Sequence, residues 1–411
     1  MTEGLKTVAL AAAALALAIS AAVVSPESRV PAIMSDQGQP FYPKFTDPEA
    51  PRTIEVVDWD DATATTQLLK VAFQHGKWLI TSHYNYRVDI GDRLAKTAAA
   101  LMDLKKDIVR SDSPQDHPKY GVVDPLDEKA TSLTGRGKRV TLRDARGDIL
   151  ADYILGKPVE GKAGYRYVRV PGQKRTYAVK TDADPSARFA DWVNAGILRI
   201  ASSSIRKVTI NRYNIDTAAG GIVNQEMTVL TQDNGDWKAT SGQKPNPAAI
   251  RLMAATLDGL KIVDVRPKPP SLAANLRSEK VELSLETMLS LRQMGYFLTP
   301  DGHLYSSEGE MNVETANGVT YSLRFGDVAT GDTKSGAPSD NRDLFVMVHF
   351  DPAKAAAYKG DAAAGDRTAR ELNERFADWY YVISGKDFAT LRLGRGATAA
   401  AKPPAPVPPK S

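Results

Sequence analysis

A five-residue segment occurs twice in this chain of 411 residues. Residues 188–192 and residues 375–379 both read Arg-Phe-Ala-Asp-Trp. Two identical pentapeptides that each carry a Phe and a Trp rarely arise by chance, so they indicate an internal repeat. An internal repeat determines the overall architecture, so it is considered before any single residue is assigned a chemical role. We therefore expect two related modules, with Trp192 and Trp379 at equivalent places on short helices.

Other landmarks recur in the same order around the pentapeptides. The separation between partners grows along the chain, which indicates that the second copy has gained insertions. The recurring pairs are Gly76-Lys77-Trp78 with Gly235-Asp236-Trp237, the apolar run ending at Gly156 with the run ending at Gly326, and residues 167–170 with residues 345–348.

Length and composition agree with two globular domains. A chain of this length exceeds one typical domain, and two of roughly 150 to 200 residues fit the usual range. The 53 Lys and Arg residues nearly balance the 49 Asp and Glu residues, so the net charge of +4 gives no sign of a nucleic-acid partner. The chain has no cysteine, which excludes a disulfide, a cysteine-ligated metal and a thiol nucleophile.

The N-terminus carries an apolar segment without charge at residues 7–24. Its length lies at the lower edge of the roughly 17 to 25 residues that span a membrane. We interpret residues 1–25 as a transmembrane anchor, with a cleaved signal peptide and a buried soluble helix as alternatives. With an anchor, we expect a single-pass protein of the cytoplasmic membrane whose folded modules lie on the extracytoplasmic side.

The remaining chain divides by composition. Residues 26–51 are rich in Pro, Ser, Gly and Asp and are predicted to be a flexible tether. Residues 52–200 form the first module, and residues 201–395 form the second, duplicated module with an insertion at about residues 267–317. Residues 396–411 are rich in Pro and Ala and are predicted to be a disordered tail.

Each module is predicted to be α+β, with a mainly antiparallel sheet and one amphipathic helix packed on it. Short β-branched runs separated by turn residues predict the strands. Apolar residues at helical spacing predict the helices. The predicted core positions of these helices are Ile90, Leu94, Leu101 and Leu104 in the first module, and Ile250, Met253, Leu257 and Leu260 in the second.

A search for catalytic and metal-binding patterns finds none. The five histidines form neither an H-x-x-x-H nor an H-E-x-x-H pair. A G-x-S-x-G elbow and a glycine-rich loop between a strand and a helix are also lacking. Residues 58–61 are acidic but lack the spacing of a calcium loop. We therefore nominate no catalytic, cofactor-binding or metal-binding residues and expect no cofactor.

The repeated aromatic residues are interpreted as core anchors, because both modules need the same packing. This applies to the Phe and Trp of each pentapeptide and to Trp78 and Trp237. Stacking on a ligand is the alternative. The Arg and Asp of each pentapeptide stand three residues apart and are predicted to pair, at about 0 to 1 kcal/mol if exposed.

A further set of motifs resembles a family numbered 4340 among the domains of unknown function. The resemblance covers about residues 53–265. The motifs are the strand with Trp at residues 76–80, the leucine-rich turn at residues 101–104, Tyr-Gly-Val-Val-Asp-Pro at residues 120–125, Leu-Gly at residues 155–156, and Tyr-Arg-Tyr-Val-Arg at residues 165–169.

The resemblance implies an envelope component found beside ABC-type transport or gliding-motility systems in bacteria, and it carries over no enzymatic residue. We expect a non-catalytic scaffold or accessory subunit with a protein partner in the envelope, rather than an enzyme. One alternative is a periplasmic protein that holds a polysaccharide or lipid moiety between the modules, which predicts exposed aromatic side chains there. A second alternative is a hydrolase of envelope polymers, which predicts two convergent carboxyl groups.

Overall fold

The computed structural model describes residues 36–61, 64–89, 93–130, 133–216, 221–233, 235–240, 246–278, 284–299, 302–329 and 340–392. In this part of the chain, two large antiparallel sheets and eight α-helices form. The protein is therefore α+β, as predicted. The predicted anchor, residues 1–25, and the predicted tail, residues 396–411, lie outside the described residues. No described helix is long and apolar enough to cross a membrane.

The first sheet has nine strands, all paired antiparallel. Its central strands bury one alternating set of apolar side chains, which include Ile54, Val56, Val140 and Leu142. Across the sheet the order is β4 (Tyr86–Arg87), β3 (Lys77–Ile80), β2 (Thr65–Gln74), β1 (Thr53–Asp60), β6 (Lys138–Arg143), β7 (Ile149–Pro158), β8 (Tyr165–Arg169), β9 (Thr176–Lys180) and β5 (Ile108–Ser111).

The second sheet has eight strands, also antiparallel. A separate hairpin of β14 (Tyr296–Leu298) and β15 (Leu304–Ser306) lies outside it. Across the sheet the order is β12 (Asp236–Ala239), β11 (Gly221–Asp233), β10 (Ile205–Asp216), β16 (Glu310–Thr315), β17 (Val319–Val328), β18 (Arg342–Phe350), β19 (Trp379–Ile383) and β13 (Ile262–Pro267).

The two sheets have the same strand order. If β1 is matched with β10, β2 with β11, β3 with β12, β5 with β13, and β6 to β9 with β16 to β19, every neighbour in one sheet has its counterpart in the other. The first sheet adds only the short edge strand β4. A helix precedes the far edge strand in both cases: Arg93–Met102 (α1) before β5 and Pro247–Gly259 (α3) before β13. The two halves of the chain thus share one connectivity.

A pair of glycines marks the same close approach in both sheets. Gly156 in β7 and Gly326 in β17 each lie at a register irregularity of the strand. A Cβ on Gly156 would lie 2.5 Å from the carbonyl oxygen of Tyr120, and a Cβ on Gly326 would lie 2.2 Å from that of Met294. Only a residue without a side chain permits this approach. The predicted equivalence of these two glycines is confirmed.

The predicted helix positions lie in the core. Ile250, Met253, Leu257 and Leu260 are buried, and so are Leu101 and Leu104. Leu94 is partly buried against the same core, and Ile90 lies outside the described residues. One hydrophobic cluster includes residues of both sheets. The remaining helices are α2 (His117–Tyr120), α4 (Pro270–Ser278), α5 (Leu285–Gln293), α6 (Pro352–Ala357), α7 (Ala362–Ala377) and α8 (Gly385–Leu391).

The two pentapeptides are not structurally equivalent. Residues 188–192 follow β9 and contain a short 3-10 helix, whereas residues 375–379 end α7 and begin β19. β9 and β19 occupy the same place in their sheets. The first pentapeptide follows β9, whereas the second pentapeptide precedes most of β19. The prediction that Trp192 and Trp379 lie at equivalent places on short helices is therefore wrong.

The polar side chains of the pentapeptides differ as well. In residues 188–192 the Arg and the Asp form the predicted pair, with a nitrogen–oxygen distance of 2.9 Å. Arg375 instead donates to the carbonyl oxygens of Asn194 and Gly196, in the segment between the sheets. Asp378 accepts from Arg277 of α4 at 2.6 Å. The second pair was predicted wrongly, because tertiary partners replace the local one.

Two predicted boundaries also need correction. Residues 36–51 were assigned to a flexible tether, but Phe41 and Phe45 are buried in the core. The Phe41 ring contacts Tyr153 edge-on at 5.5 Å, so this segment is part of the first module. The predicted insertion, residues 267–317, includes β16, which is a central strand of the second sheet. What lies outside that sheet is the insertion layer, which we define as α4, α5 and the β14–β15 hairpin.

Candidate functional site

The insertion layer presents three large apolar side chains to solvent. They belong to α5, where Leu285 is 67% exposed, Leu289 is 60% exposed and Met288 is 45% exposed. Residues at positions i, i+3 and i+4 share one side of a helix. We call this set the outer face of α5. A contiguous apolar row on a protein surface marks an interaction site, whereas single exposed leucines do not.

The inner face of α5 is polar at positions where a packed helix is usually apolar. Thr287 is fully buried, and the Ser290 hydroxyl lies 3.1 Å from the hydroxyl of Tyr380. Ser284 begins the helix, since its hydroxyl accepts the N–H of Thr287 at 3.1 Å. Leu291 supplies the apolar contact on this side. Hydrogen bonds therefore hold the inner side of α5 against the second sheet, and Leu285 and Leu289 remain on the outer side.

A second, smaller hydrophobic cluster fixes the insertion layer on the second sheet. The rings of Tyr296 and Tyr380 are stacked at 5.9 Å. The Arg324 Nε of β17 donates to the carbonyl oxygen of Leu304 at 2.7 Å, which ties the hairpin to the sheet. The layer is thus packed, and it holds α5 in a defined orientation. The buried members of the cluster are Leu272, Leu291, Tyr296, Phe345 and Tyr380.

A cleft of 560 Å³ lies between the two halves of the chain, beside β13 and residues 188–192. His83 and Asp191 line it from the first half, and Asp264 lines it from the second. The His83 Nε2 lies 3.8 Å from the Asp264 Oδ1, and the His83 ring is stacked on Phe189 at 5.0 Å. The fold thus brings together ionisable groups that are far apart in the sequence.

The two aspartates of the cleft have pKa values shifted in opposite directions. Burial raises the pKa of Asp264 to about 6, although the N–H of Val265 and the charge of Arg266 act against it. Burial also acts to raise the pKa of Asp191, but the hydrogen bonds from Ser186 and Arg188 outweigh it, so this pKa is lowered. Carboxyl groups with pKa values pushed apart are typical of acid–base sites.

Ser82 and His83 extend the polar contacts of the cleft but do not form a catalytic triad. The Ser82 Oγ lies 2.9 Å from the His83 Nδ1 and also accepts the backbone N–H of Lys70 at 3.0 Å. The 3.8 Å between His83 and Asp264 is longer than a hydrogen bond. A serine nucleophile needs a base that a bonded carboxylate orients. The geometry does not meet that requirement.

A third aspartate lies nearby but does not line the cleft. Asp343 is almost fully buried, and the Arg266 Nη1 donates to both of its carboxylate oxygens, at 2.9 and 2.8 Å. Burial raises the pKa of Asp343 to about 6, although Arg266 acts against it. This pair links β13 to β18, which lie on either side of β19 in the second sheet.

The repeated tryptophans pack against the core. Trp192 is 1% exposed, and Trp78, Trp237 and Trp379 are partly buried against the main cluster. None of these residues lines the cleft between the sheets. The aromatic lining that the ligand-binding alternative predicted for the cleft is thus not formed by these side chains.

Metal-ligating residues do not converge in the part of the chain that the structure describes. No group of three or more His, Asp or Glu side chains there has the proximity to hold a metal ion.

Sequence reasoning missed both features of this region. Asp264 is a single acidic residue within an otherwise apolar stretch, Ile262-Val263-Asp264-Val265, and that interruption was a usable signal. The outer face of α5 had no such signal. Leu285, Met288 and Leu289 have the spacing of a core-facing helix, and only the packing shows that they face outward.

The comparisons with known proteins give a family and no function. Residues 78–279 match the family described as a domain of unknown function (DUF4340). No curated protein and no solved structure matches the chain. The matched segment begins in β3, includes β4 to β9 of the first sheet and extends through α4. Residues 78–279 of this chain therefore belong to the DUF4340 family of domains of unknown function.

Proposed function

We propose that the protein is a non-catalytic scaffold or accessory subunit of a bacterial envelope complex, of the ABC-transporter or gliding type. The apolar segment at residues 7–24 would anchor it in the cytoplasmic membrane, and the folded part would lie on the periplasmic side. Its partner would be another envelope protein, bound through the outer face of α5.

The exposed apolar row on α5 carries this proposal. A helix that turns Thr287 inward and Leu285 and Leu289 outward buries less apolar surface than the reverse orientation would. Burial of apolar area contributes roughly 25 cal/mol per Å², so this arrangement gives up stability in the isolated chain. A partner that covers the face would recover it, and apolar anchors at the centre of an interface supply most binding energy.

We further propose that the common strand order of the two sheets arose by duplication. The matched glycines, Gly156 and Gly326, support this, because each permits the same backbone approach at the same strand. The second copy then acquired the insertion layer. At the corresponding place in the first copy, the described residues form a 3-10 helix at Pro114–Asp116 and the short helix α2. Duplication would supply the frame, and the insertion layer would supply the binding surface.

The test is a crosslinking pull-down of the full-length protein extracted from the membrane. Three full-length forms are compared: the wild type, Leu285→Gln with Met288→Gln and Leu289→Gln, and a control with Met227→Gln and Leu252→Gln. Met227 and Leu252 are also exposed, at 63% and 58%, but they lie outside the insertion layer. A chain lacking residues 1–25 shows whether the anchor takes part.

The proposal requires a stoichiometric envelope protein that the wild type and the control recover and the α5 variant does not. Surface substitutions change stability by about 0.5 kcal/mol or less, so the variant should remain folded. Equal recovery by the α5 variant would exclude this face as the interface. Recovery of no protein by any form would refute the scaffold function.

The cleft between the sheets supports a second candidate function, hydrolysis of an envelope polymer. The observation in its favour is that Asp191 and Asp264 line one cleft with pKa values shifted apart. Asp264 would donate a proton to the leaving group, and Asp191 would act as the ionised partner. The check is hydrolysis of purified cell-wall polymer by the wild type and by Asp264→Asn. Turnover by the wild type that Asp264→Asn removes would establish this activity, and its absence would exclude it.

A further inference from the structure

A separate apolar cavity of 340 Å³ lies under the insertion layer. Its roof is formed by α4 and the β14–β15 hairpin, its floor by β17 and β18, and one wall by α7. The volume falls within the roughly 300 to 1,000 Å³ that is typical of ligand pockets. Its main apolar lining residues are Leu272, Leu276, Leu304, Phe345, Met347 and Phe376.

The cavity lies between the main hydrophobic core and the smaller hydrophobic cluster of the insertion layer, which do not pack fully against each other. Phe376 belongs to the main core, and Leu272 and Phe345 belong to the small cluster of the insertion layer. Protein interiors are packed as densely as organic crystals, with few voids larger than a water molecule. An apolar space of this size between two packed clusters is therefore a place for a ligand, because apolar surface favours apolar occupants over water.

The polar residues of the cavity are distributed unevenly. Asn373 in the wall is already engaged, since its Oδ1 accepts the N–H of Val348 at 3.1 Å and its Nδ2 donates to the same residue's carbonyl oxygen at 2.8 Å. His349 and Met347 are exposed and form the rim. Arg324 adds a guanidinium, which lies 3.4 Å from Glu310. The interior thus offers apolar contacts, and a cationic and an imidazole side chain lie toward the floor and the rim.

We propose that this cavity binds a single unbranched acyl chain, with the tail among Leu272, Leu276 and Phe345 and a carboxylate or ester head at the rim near His349. Aliphatic side chains provide most of the lining, and they suit a flexible hydrocarbon chain. A peptide or a sugar would bring buried polar groups that need hydrogen-bond partners. Two amide side chains line the cavity, Asn275 in the roof and Asn373 in the wall, and Asn373 is already hydrogen-bonded to the backbone of Val348. This site is independent of the outer face of α5, which lies on another side of the insertion layer.

The acyl chain could come from a free fatty acid or from a membrane lipid, and the experiment separates these sources. The full-length protein is extracted with a membrane-solubilising polymer, since detergents would compete for the cavity. Binding of 11-dansylaminoundecanoic acid is measured by fluorescence. Displacement is then measured with dodecanoate in one arm and with phosphatidylglycerol vesicles in the other.

Met347→Trp is the blocking variant, because Met347 is partly exposed at the rim and a larger ring there obstructs entry without altering the buried core. Met227→Trp is the matched control, with the same substitution at an exposed methionine on β11, outside the cavity. We expect Met347→Trp to weaken binding of the probe by about tenfold or more and Met227→Trp to leave it unchanged. Thermal unfolding of both variants checks that each is folded.

Displacement by dodecanoate identifies a free fatty acid as ligand, and displacement by vesicles alone identifies a lipid chain; both support the proposal. Binding that Met347→Trp and Met227→Trp affect equally would overturn it, because the probe would then bind elsewhere. Failure of the probe to bind the wild type would overturn it as well. Neither result bears on recovery of a protein partner through α5.

Discussion

The two sheets share one strand order, yet the surfaces that cover them differ. In the first half, the connection from β5 to β6 contains the short helix α2, which ends at Gly121, with φ of 68°. At the corresponding place in the second half, α4, α5 and a hairpin intervene, and Gly295, with φ of 79°, follows α5. The same frame therefore tolerates a large addition at one connection, because loops at the surface accept insertions that the sheet cannot.

The halves also differ in how they bury charge. In the first half, the Arg139 guanidinium binds both carboxylate oxygens of Asp152, at 3.1 and 2.7 Å. In the second half, Lys268 is buried beside the rings of Phe345 and Tyr380, and its Nζ donates to the carbonyl oxygen of Phe376 at 2.7 Å. Both halves therefore pair an arginine with a buried aspartate, since Arg266 binds Asp343 in the second half. The second half in addition buries a lysine among aromatic rings at the edge of the insertion layer.

The largest effect should come from the two pentapeptide tryptophans. Trp192→Ala should lower the free energy of unfolding by about 3 to 5 kcal/mol, because it empties a fully buried site. Trp379→Ala should lower it clearly less, since Trp379 is only partly buried. Urea unfolding of both variants measures the difference. Equal losses would mean that the two copies have equivalent packing roles after all.

Buried Lys268 gives the next prediction. Burial lowers its pKa to about 7. The unfolded chain, with a lysine pKa of about 10.4, then binds more protons than the folded chain at intermediate pH, so stability should rise between about pH 7 and pH 10. Lys268→Met should remove this slope and should raise the free energy of unfolding at neutral pH by about 1 to 4 kcal/mol, as for other buried ions. Denaturant unfolding across this pH range provides the measurement. A slope that persists in the variant would assign it to other groups.

The matched glycines test whether the two frames are alike. Gly156→Ala and Gly326→Ala should each lower stability by about 1 to 3 kcal/mol, because the added Cβ would overlap a carbonyl oxygen of the neighbouring segment. Gly259→Ala is the control, since a Cβ there meets no atom within 4 Å. Calorimetric unfolding of the three variants measures these losses of stability. A loss at only one of the two strand glycines would show that the shared connectivity does not extend to shared packing.

The smallest effects should come from the cleft aspartates, and they should have opposite signs. The raised pKa of Asp264 means that the folded state binds more protons at pH values between about 4 and 6, so stability falls as pH rises through this window. Asp264→Asn should therefore increase stability above about pH 6, by about 1 kcal/mol. Asp191 has a lowered pKa, so its contribution is present above about pH 4 and is lost as pH falls further.

Asp191→Asn should accordingly reduce stability at neutral pH by a few tenths of a kcal/mol, roughly the value of a solvent-accessible ion pair. Unfolding curves at about pH 4.5 and pH 7 for both variants provide the comparison. Changes of the same sign would show that the two carboxyl groups do not experience the opposite environments described above.

Particular residues show how far the sequence alone could go. The strands at Lys138–Arg143 and Thr176–Lys180 can be predicted from the sequence, because β-branched runs between turn residues indicate strands locally. The Trp78 and Trp237 hairpins and the glycines of β7 and β17 were also matched correctly. By contrast, Trp379, the first residue of β19, was predicted to lie on a helix, since the sequence before it continues the helical pattern and pairing with β13 makes it part of a strand.

The candidate site was less accessible than the fold. Whether Leu285, Met288 and Leu289 face the core or the solvent depends on the rotation of α5, and Thr287 and Ser290 set that rotation through partners elsewhere in the chain. The proximity of His83 to Asp264 depends on the packing of two segments that are 181 residues apart in the sequence.

The sequence by itself determined the repeated pattern of strand-forming segments, the glycines at close backbone approaches and the core face of α3. Each of these depends on local spacing and backbone sterics. Only the tertiary structure decided that the identical pentapeptides have different roles, that α5 turns its leucines outward, and that a cavity remains under the insertion layer. These depend on which surfaces meet, and the free energy of such contacts belongs to pairs of distant segments rather than to any one segment.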